Sequence, residues 1–187
     1  MNSVLLVNEK DIIIGTDSKE NSHLNGVLHR AFSIFIYCPQ TGRFLLQKRS
    51  MSKYHSAGLW ANTCCSHPIS EESLGNFMKD RLREELGISI PICHINYDPK
   101  PKEKVFNYAG KFHYKANLGR MWENEIDHVF VVFEKSDQLN ISHYNPEEVA
   151  DLIWESTEVI EEKYKSHPES FAVWFYPAYK IAKKLIG

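Results

Sequence analysis

The sequence has little that would commit it to a membrane, a nucleic acid or an oxidising compartment. No apolar run approaches the roughly 20 residues of a membrane-spanning helix. The opening Met-Asn-Ser-Val-Leu-Leu-Val-Asn-Glu-Lys holds too short an apolar stretch for a secretion signal. Neither sign of charge is in excess: 22 Lys and Arg face 24 Asp and Glu, a net charge of −2 with His neutral. That argues against global attraction to nucleic acid or to an anionic membrane surface, so any bound anion must be held by a local cluster. Cysteine is scarce. The four are Cys38, Cys64, Cys65 and Cys93, with no C-x-x-C pair, and two are adjacent, which makes a disulfide between them awkward. A reducing cytosol is the expected compartment. Repeats, low-complexity tracts and linkers are absent too. The 187 residues, 43% hydrophobic and 25% charged, are therefore expected to form one globular domain over residues 1–187.

What is there reads as a mixed α/β pattern. Residues 3–7 and 12–15 suggest short strands, and the polar stretch 21–28 suggests a loop. His29 to Cys38 reads as a central strand, and Pro39-Gln-Thr-Gly42 as a turn into a second strand from Arg43 to Lys48. A loop rich in Ser, Lys, Gly and His runs from Ser50 to Ser70. Leu74, Met78, Leu82 and Leu86 recur every four residues and Gly87 follows, which predicts a helix over 71–86. Strands are expected near 92–97, 104–115, 126–133 and 151–154, and helices over about 157–165 and 169–185. Strands, a helix, more strands and more helices suggest a mixed α/β sandwich rather than a regular parallel array.

Three constellations carry candidate chemistry. On the 71–86 helix, Arg81 and Glu85 fall inside the apolar stripe, one turn apart. They are either a structural ion pair at the core edge or a cation and a carboxylate facing a metal or phosphate pocket. In Trp122-Glu-Asn-Glu-Ile-Asp127, an extended chain points Glu123 and Glu125 the same way, in parity with Val129, Val131 and Phe133. They are either solvated at a strand end or buried, and burial would call for a cation between them. The nine histidines include His23 and His29 at the entry to the central strand and His67 after Asn62-Thr-Cys-Cys-Ser66. Imidazole with carboxylate suits an octahedral Mn, Mg or Zn-type site better than a closed tetrahedral zinc site. Cys65 is either a reactive thiol or an inert buried one.

Taken in order, H-L-N-G-V-L-H-R-A-F-S, L-L-Q-K-R-S, W-A-N-T-C-C-S-H-P, R-E-E-L-G-I and W-E-N-E closely resemble type 1 isopentenyl diphosphate isomerases, over roughly residues 3 to 180. The family has a Nudix-like α/β fold. Its box, G-x5-E-x7-R-E-U-x-E-E-x-G-U with U bulky and apolar, is worn here. Ser66 stands for the glycine, Glu72 matches the first glutamate, and Leu82, Glu84, Glu85, Gly87 and Ile88 match its end. Asp80 and Arg81 replace the R-E pair. This removes a carboxylate that the hydrolases use for metal-assisted attack by water, and so puts diphosphate hydrolysis in doubt.

The resemblance implies a site. His23, His29, His67, Glu123 and Glu125 would hold one divalent metal, Mn²⁺ or Zn²⁺, and Glu85 would help to bind Mg²⁺ on the diphosphate. Cys65 would be one catalytic acid/base and Glu125, assisted by Tyr114, the other. Lys19, Arg49, Lys53 and Arg81 would contact the diphosphate. Where the family often has a shielding tryptophan in a P-W-x-F-type motif, this chain has Glu169-Ser-Phe-Ala-Val-Trp-Phe175. Phe171 takes the slot by position, with Trp174 and Trp60 as further candidates. The expected partner is a small diphosphate, with no nucleic acid and no membrane, and the expected state a monomer or weak dimer.

Overall fold

The computed structural model describes residues 3–89, 94–135, 139 and 143–187. Ten strands make one mixed sheet among these residues: β1 Ser3–Val7, β2 Ile13–Ser18, β3 His29–Cys38, β4 Arg43–Arg49, β5 Trp60–Ala61, β6 Cys64–Ser66, β7 Ile95–Asn96, β8 Phe106–Asn117, β9 Trp122–Phe133 and β10 Val149–Ser156. Four α-helices accompany them: α1 Lys19–Asn25, α2 Leu74–Leu86, α3 Thr157–Ser166 and α4 Phe175–Ile186. None of the described helices is long and apolar enough to cross a membrane.

The main strand order is β10-β4-β3-β9-β8-β7. β3 is central, and its sequence shows why: nine of its ten residues are buried, so both faces are covered. It runs parallel to β9 from His29↔Glu125 to Tyr37↔Phe133. On its other side it pairs with three strands in turn, β1 at His29, β6 at Phe32–Ile34 and β4 at Ile36–Cys38. One face of the sheet packs Phe32, Ile34, Ile36, Phe130 and Val132 under Met78, Leu82 and Leu86 of α2. The other packs Phe35, Val129 and Val131 under Ile160 of α3 and Phe175, Ala178, Tyr179 and Ala182 of α4. The mixed α/β sandwich expected from the pattern is the observed architecture.

Several boundaries move, each for a physical reason. Residues 21–28, expected as a loop, contain most of α1. This two-turn helix lacks apolar periodicity because the residues it buries are Ser22 and His23. Its signals are local: the Ser18 hydroxyl accepts from the Asn21 N–H at 3.1 Å, and Gly26 ends it at φ +62°. A side chain at Gly26 would also press on Trp122, whose Cβ lies 3.2 Å from where a Cβ would be.

The loop expected over 50–70 contains β5 and β6, each too short to show alternation. The helix expected over 169–185 begins only at Phe175. Pro168–Ser170 is a 3-10 turn, and Phe171 bridges to Trp60, with the Ala172 N–H donating to the Trp60 carbonyl at 2.9 Å. The strand expected near 92–97 is seen at Ile95–Asn96, and positions 92 and 93 lie outside the described residues.

Candidate functional site

The site lies on the α4 side of the sheet, and strand register assembles it. Tyr114 of β8 is the register partner of Glu125 of β9, which is in turn the parallel partner of His29 of β3. Three site residues thus stand in a row across adjacent strands about 4.8 Å apart. Glu123, Glu125 and Asp127 alternate onto this face, continuous with Val129 and Val131, and all three are buried.

Tyr114 reaches the same face because β8 carries a bulge. The register shifts between Tyr108 and Gly110, leaving Ala109 as the extra residue. Tyr108 therefore packs on the α2 side, while Phe112 and Tyr114 pack on the α4 side. The adjacent cysteines are sorted by the same alternation. Cys65 pairs with Ser33 and faces the site, whereas Cys64 is fully buried under α2.

Three histidines converge on one carboxylate oxygen. Glu125 Oε1 lies 2.8 Å from His67 Nε2, 3.3 Å from His29 Nε2 and 3.7 Å from His23 Nε2. The Nδ1 of His23 lies 2.7 Å from the Lys19 carbonyl, and the Nδ1 of His29 lies 2.7 Å from the Val27 carbonyl. A carbonyl only accepts, so both rings carry their proton on Nδ1 and present a lone pair from Nε2. Those two Nε2 atoms are buried without a hydrogen-bond partner. Lone pairs facing a carboxylate oxygen repel unless a cation lies between them. The ligand atoms of His23, His29, His67 and Glu125 all lie within 4.8 Å of one another. The donor set fits a divalent ion.

Glu123 is joined to this group by Tyr114, whose hydroxyl lies 2.6 Å from Glu125 Oε2 and 3.0 Å from Glu123 Oε2. Burial and the neighbouring Glu125 charge push the Glu123 carboxyl well above the usual range. Burial also pushes Glu125 upward, but the facing His67 and His29 hold it net well below. Burial brings His67 down to about 3, so it is neutral at pH 7.

The cavity above this row has a volume of about 610 Å³, including its open mouth. Lys19, Arg49, Lys53 and Arg81 all line it, as do Cys65, Glu85, Tyr114, Glu123, Glu125 and Trp174. The four cations come from α1, the end of β4, the following loop and α2. Lys19 and His23 share a face of α1 because they are one turn apart. Arg81 pairs with Glu85 across one turn of α2, and also with Glu84 at 2.7 Å. Lys53 is paired with Glu148, which Arg81 also approaches at 3.7 Å. Burial pushes the Cys65 thiol up to about 12, partly countered by Arg49, so it holds its proton.

Of the three aromatic candidates, Trp174 lines the cavity. Its indole N–H donates to Asn62 Oδ1 at 3.1 Å, and the Arg49 guanidinium lies 5.2 Å from its ring centre. Phe171 stacks on Phe175 at 4.8 Å, and neither it nor Trp60 is among the lining residues.

Four ionisable lining residues escaped the sequence reading: Asp127, which accepts from the Ser33 hydroxyl at 2.7 Å, Glu148, Tyr54 and His55. Asp127 had a signal, the same parity as Glu123 and Glu125. His55 and Tyr54 had none, because they sit in an irregular loop where no period assigns a face.

A profile of the NUDIX domain family matches residues 27–175. The chain belongs to the NUDIX domain family. Curated relatives agree in length as well as in sequence. An isopentenyl-diphosphate Delta-isomerase of Serratia proteamaculans is 39% identical over 92% of this chain and 86% of its own. One from Aromatoleum aromaticum is 40% identical over 91% and 86%, and one from Aliivibrio fischeri is 39% identical over 95% and 92%. Among solved structures, a Deinococcus radiodurans protein superposes with a TM-score of 0.67 at 17% identity, covering 97% of this chain and 98% of its own. A MutT protein of Methanosarcina mazei superposes with a TM-score of 0.58 at 19% identity, covering 84% and 94%. At those identities the likeness concerns the Nudix fold alone.

Proposed function

We propose that this chain interconverts isopentenyl diphosphate and dimethylallyl diphosphate, supplying isoprenoid precursors from a single Nudix-like domain spanning residues 1–187. The observation that carries the reading is the pairing of Cys65 with Glu125 in one cavity. They reach it from β6 and β9, on the two sides of β3, and one holds a proton while the other does not.

Moving the double bond requires a proton added at one carbon and another removed two carbons away, through a tertiary carbocation. The Cys65 thiol gives its proton to the alkene, and the Glu125 carboxylate, hydrogen-bonded by Tyr114, takes the other. The roles exchange in the reverse direction. Trp174 presents a ring to the cationic intermediate, and a desolvated cation–π contact contributes about 2 kcal/mol. Lys19, Arg49, Lys53 and Arg81 hold the diphosphate, whose binding keeps the hydrocarbon in place and water out.

The residues fit two divalent ions: Mn²⁺ or Zn²⁺ with His23, His29, His67, Glu123 and Glu125, and Mg²⁺ near Glu85 on the diphosphate. Bound there, they supply charge that fixes Glu125 as a carboxylate and neutralises the phosphates. We place the enzyme in the cytosol, consistent with Cys38, Cys64 and Cys65 as free thiols. Hydrolysis is disfavoured by Arg81, a cation paired with Glu85 where the hydrolase pattern has a second carboxylate.

The test is incubation with isopentenyl diphosphate, Mg²⁺ and Mn²⁺ in deuterated water, followed by NMR. Dimethylallyl diphosphate carrying methyl deuterium is expected. Released phosphate without isomer would overturn the reading in favour of a hydrolase.

A further inference from the structure

The five residues that the resemblance assigns to the metal leave one histidine of the same cluster unexplained. His55 sits in the loop between β4 and β5, its side chain 7% exposed, with Nε2 3.2 Å from Glu123 Oε1. Its ring lies parallel to that of His23, centroids 6.3 Å apart at 19°, and edge-on to Tyr54 and Trp174. Arg49 Nη2 donates to the His55 carbonyl at 3.2 Å, which ties the loop backbone to the end of β4. The Ser56 hydroxyl, 3.4 Å from His55 Nδ1, offers the ring proton a place away from the cluster.

One ligand atom each from His23, His55 and Glu123 lies within 4.8 Å of the others. His23 is 0% exposed, and its Nε2 has no hydrogen-bond partner. A hydrogen bond from His55 to Glu123 alone would leave that nitrogen unanswered. A cation among the three atoms answers all of them.

We propose that His55 is an additional ligand of the divalent metal, reached through the Glu123 side of the cluster. The proposal rests on reading the His23/His29/His67/Glu125 group as a metal centre. His23 Nε2 has a single lone pair and is common to both groups, so they serve one ion rather than two. The donor set becomes four imidazoles and two carboxylates. Added nitrogen shifts preference toward Zn²⁺, Co²⁺ and their neighbours and away from Mg²⁺ and Mn²⁺.

Co²⁺ is the probe, read by its visible d–d absorption and by competition against a chelator of known affinity. The samples are the full chain, His55→Ala and His55→Gln, each checked for folding by circular dichroism. Glutamine keeps an N–H that can donate to Glu123 but offers no imidazole.

Wild-type protein is expected to bind one Co²⁺ per chain. Both variants should bind it at least tenfold more weakly with an altered d–d band, and their Zn²⁺ affinity should fall more than their Mn²⁺ affinity. Wild-type affinity and spectrum in His55→Ala would overturn the proposal. So would their restoration in His55→Gln, because His55 would then be only a hydrogen-bond partner of Glu123. Folded wild-type protein that takes up no Co²⁺ would instead sink the metal reading itself, a distinguishable failure.

Discussion

Two clusters of charge sit back to back on the β3–β9 ribbon, one partly exposed and one buried, and they differ in whether their charges are answered. On the α2 side, Asp11 receives Arg30 Nε on Oδ1 at 2.8 Å, and Lys111 and His128 on Oδ2 at 2.7 and 2.9 Å. Arg30 also holds the Asp11 carbonyl at 2.7 Å and pairs with Glu71. Two cations meet two carboxylates, and both Asp11 oxygens have donors. On the α4 side, Glu125 faces the imidazole lone pairs of His23 and His29 and Glu123 is crowded against it, with three buried ring nitrogens unpartnered, His23 Nε2, His29 Nε2 and His67 Nδ1. The first arrangement is complete as folded and fastens the β1–β2 turn to the sheet. The second is incomplete without a ligand. The comparison teaches that histidines and carboxylates in a fold are not in themselves a site. The unanswered donor or acceptor is the signature.

Removing a charge should therefore act differently on the two clusters, on turnover in one and on stability in the other. Glu125→Gln should lower turnover by at least about a thousandfold. Unfolding of the metal-free protein should shift by no more than about 1 kcal/mol, because losing the Glu125 charge costs its contacts with His67 and His29 but relieves the crowded Glu123. Isomerase assays and denaturant titration check both. A large loss of stability would erase the contrast.

The next effect sharpens the assignment of the two cysteines. With its thiol pushed to about 12 from an ordinary 9.0, Cys65 should be alkylated about a thousandfold more slowly than a free thiol at pH 8. A raised pKa delays the thiolate, so the rate should climb about tenfold per pH unit from pH 9 towards 11. Peptide-resolved mass spectrometry reads this. A rate that levels off near pH 9 would contradict it. Cys64→Ala should leave turnover within about threefold of wild type, because Cys64 faces the α2 core.

Asp11→Asn gives the smaller, complementary result: a loss of about 2 kcal/mol of stability with unchanged turnover per folded molecule. Asp11 has φ +64°, which asparagine tolerates, so the change isolates the charge. The sign with pH follows from its carboxyl. Burial pushes it up, but Lys111, His128 and Arg30 hold it net below its ordinary 3.8. Its contribution is therefore present above about pH 3.8 and lost as pH falls through the lower folded value. Wild type and Asp11→Asn should converge in stability at the acid end.

The sheet and the carboxylate row were legible because strand parity is a strict period. Glu123 and Glu125 inherit their face from Val129 and Val131. The Arg81–Glu85 pair was legible from helical spacing in the same way. α1 was not, because a helix that buries serine and histidine leaves no apolar trace. Nor was the break at Phe171–Trp174, where Trp174 is set by a hydrogen bond to Asn62, 112 positions away. His55 lies where no period operates, and only its three-dimensional neighbours reveal it. The residues named by resemblance do line one cavity or belong to the His/Glu cluster beside it, with the exceptions of Phe171 and Trp60.

The register of β8 beyond Ala109 has a consequence for how this chain can change over generations. Tyr114 is aimed by a count of residues as well as by its identity. Deleting Ala109 would only make the ladder regular, with Gly110 still opposite Val129 and Tyr114 still opposite Glu125, whereas one residue inserted after Gly110 would turn Phe112 and Tyr114 away from Glu125 and bring Lys111 and His113 inward, with every letter of the motif still in the text. Related chains that keep the tyrosine but gain or lose one residue between Gly110 and it would carry the motif without its geometry.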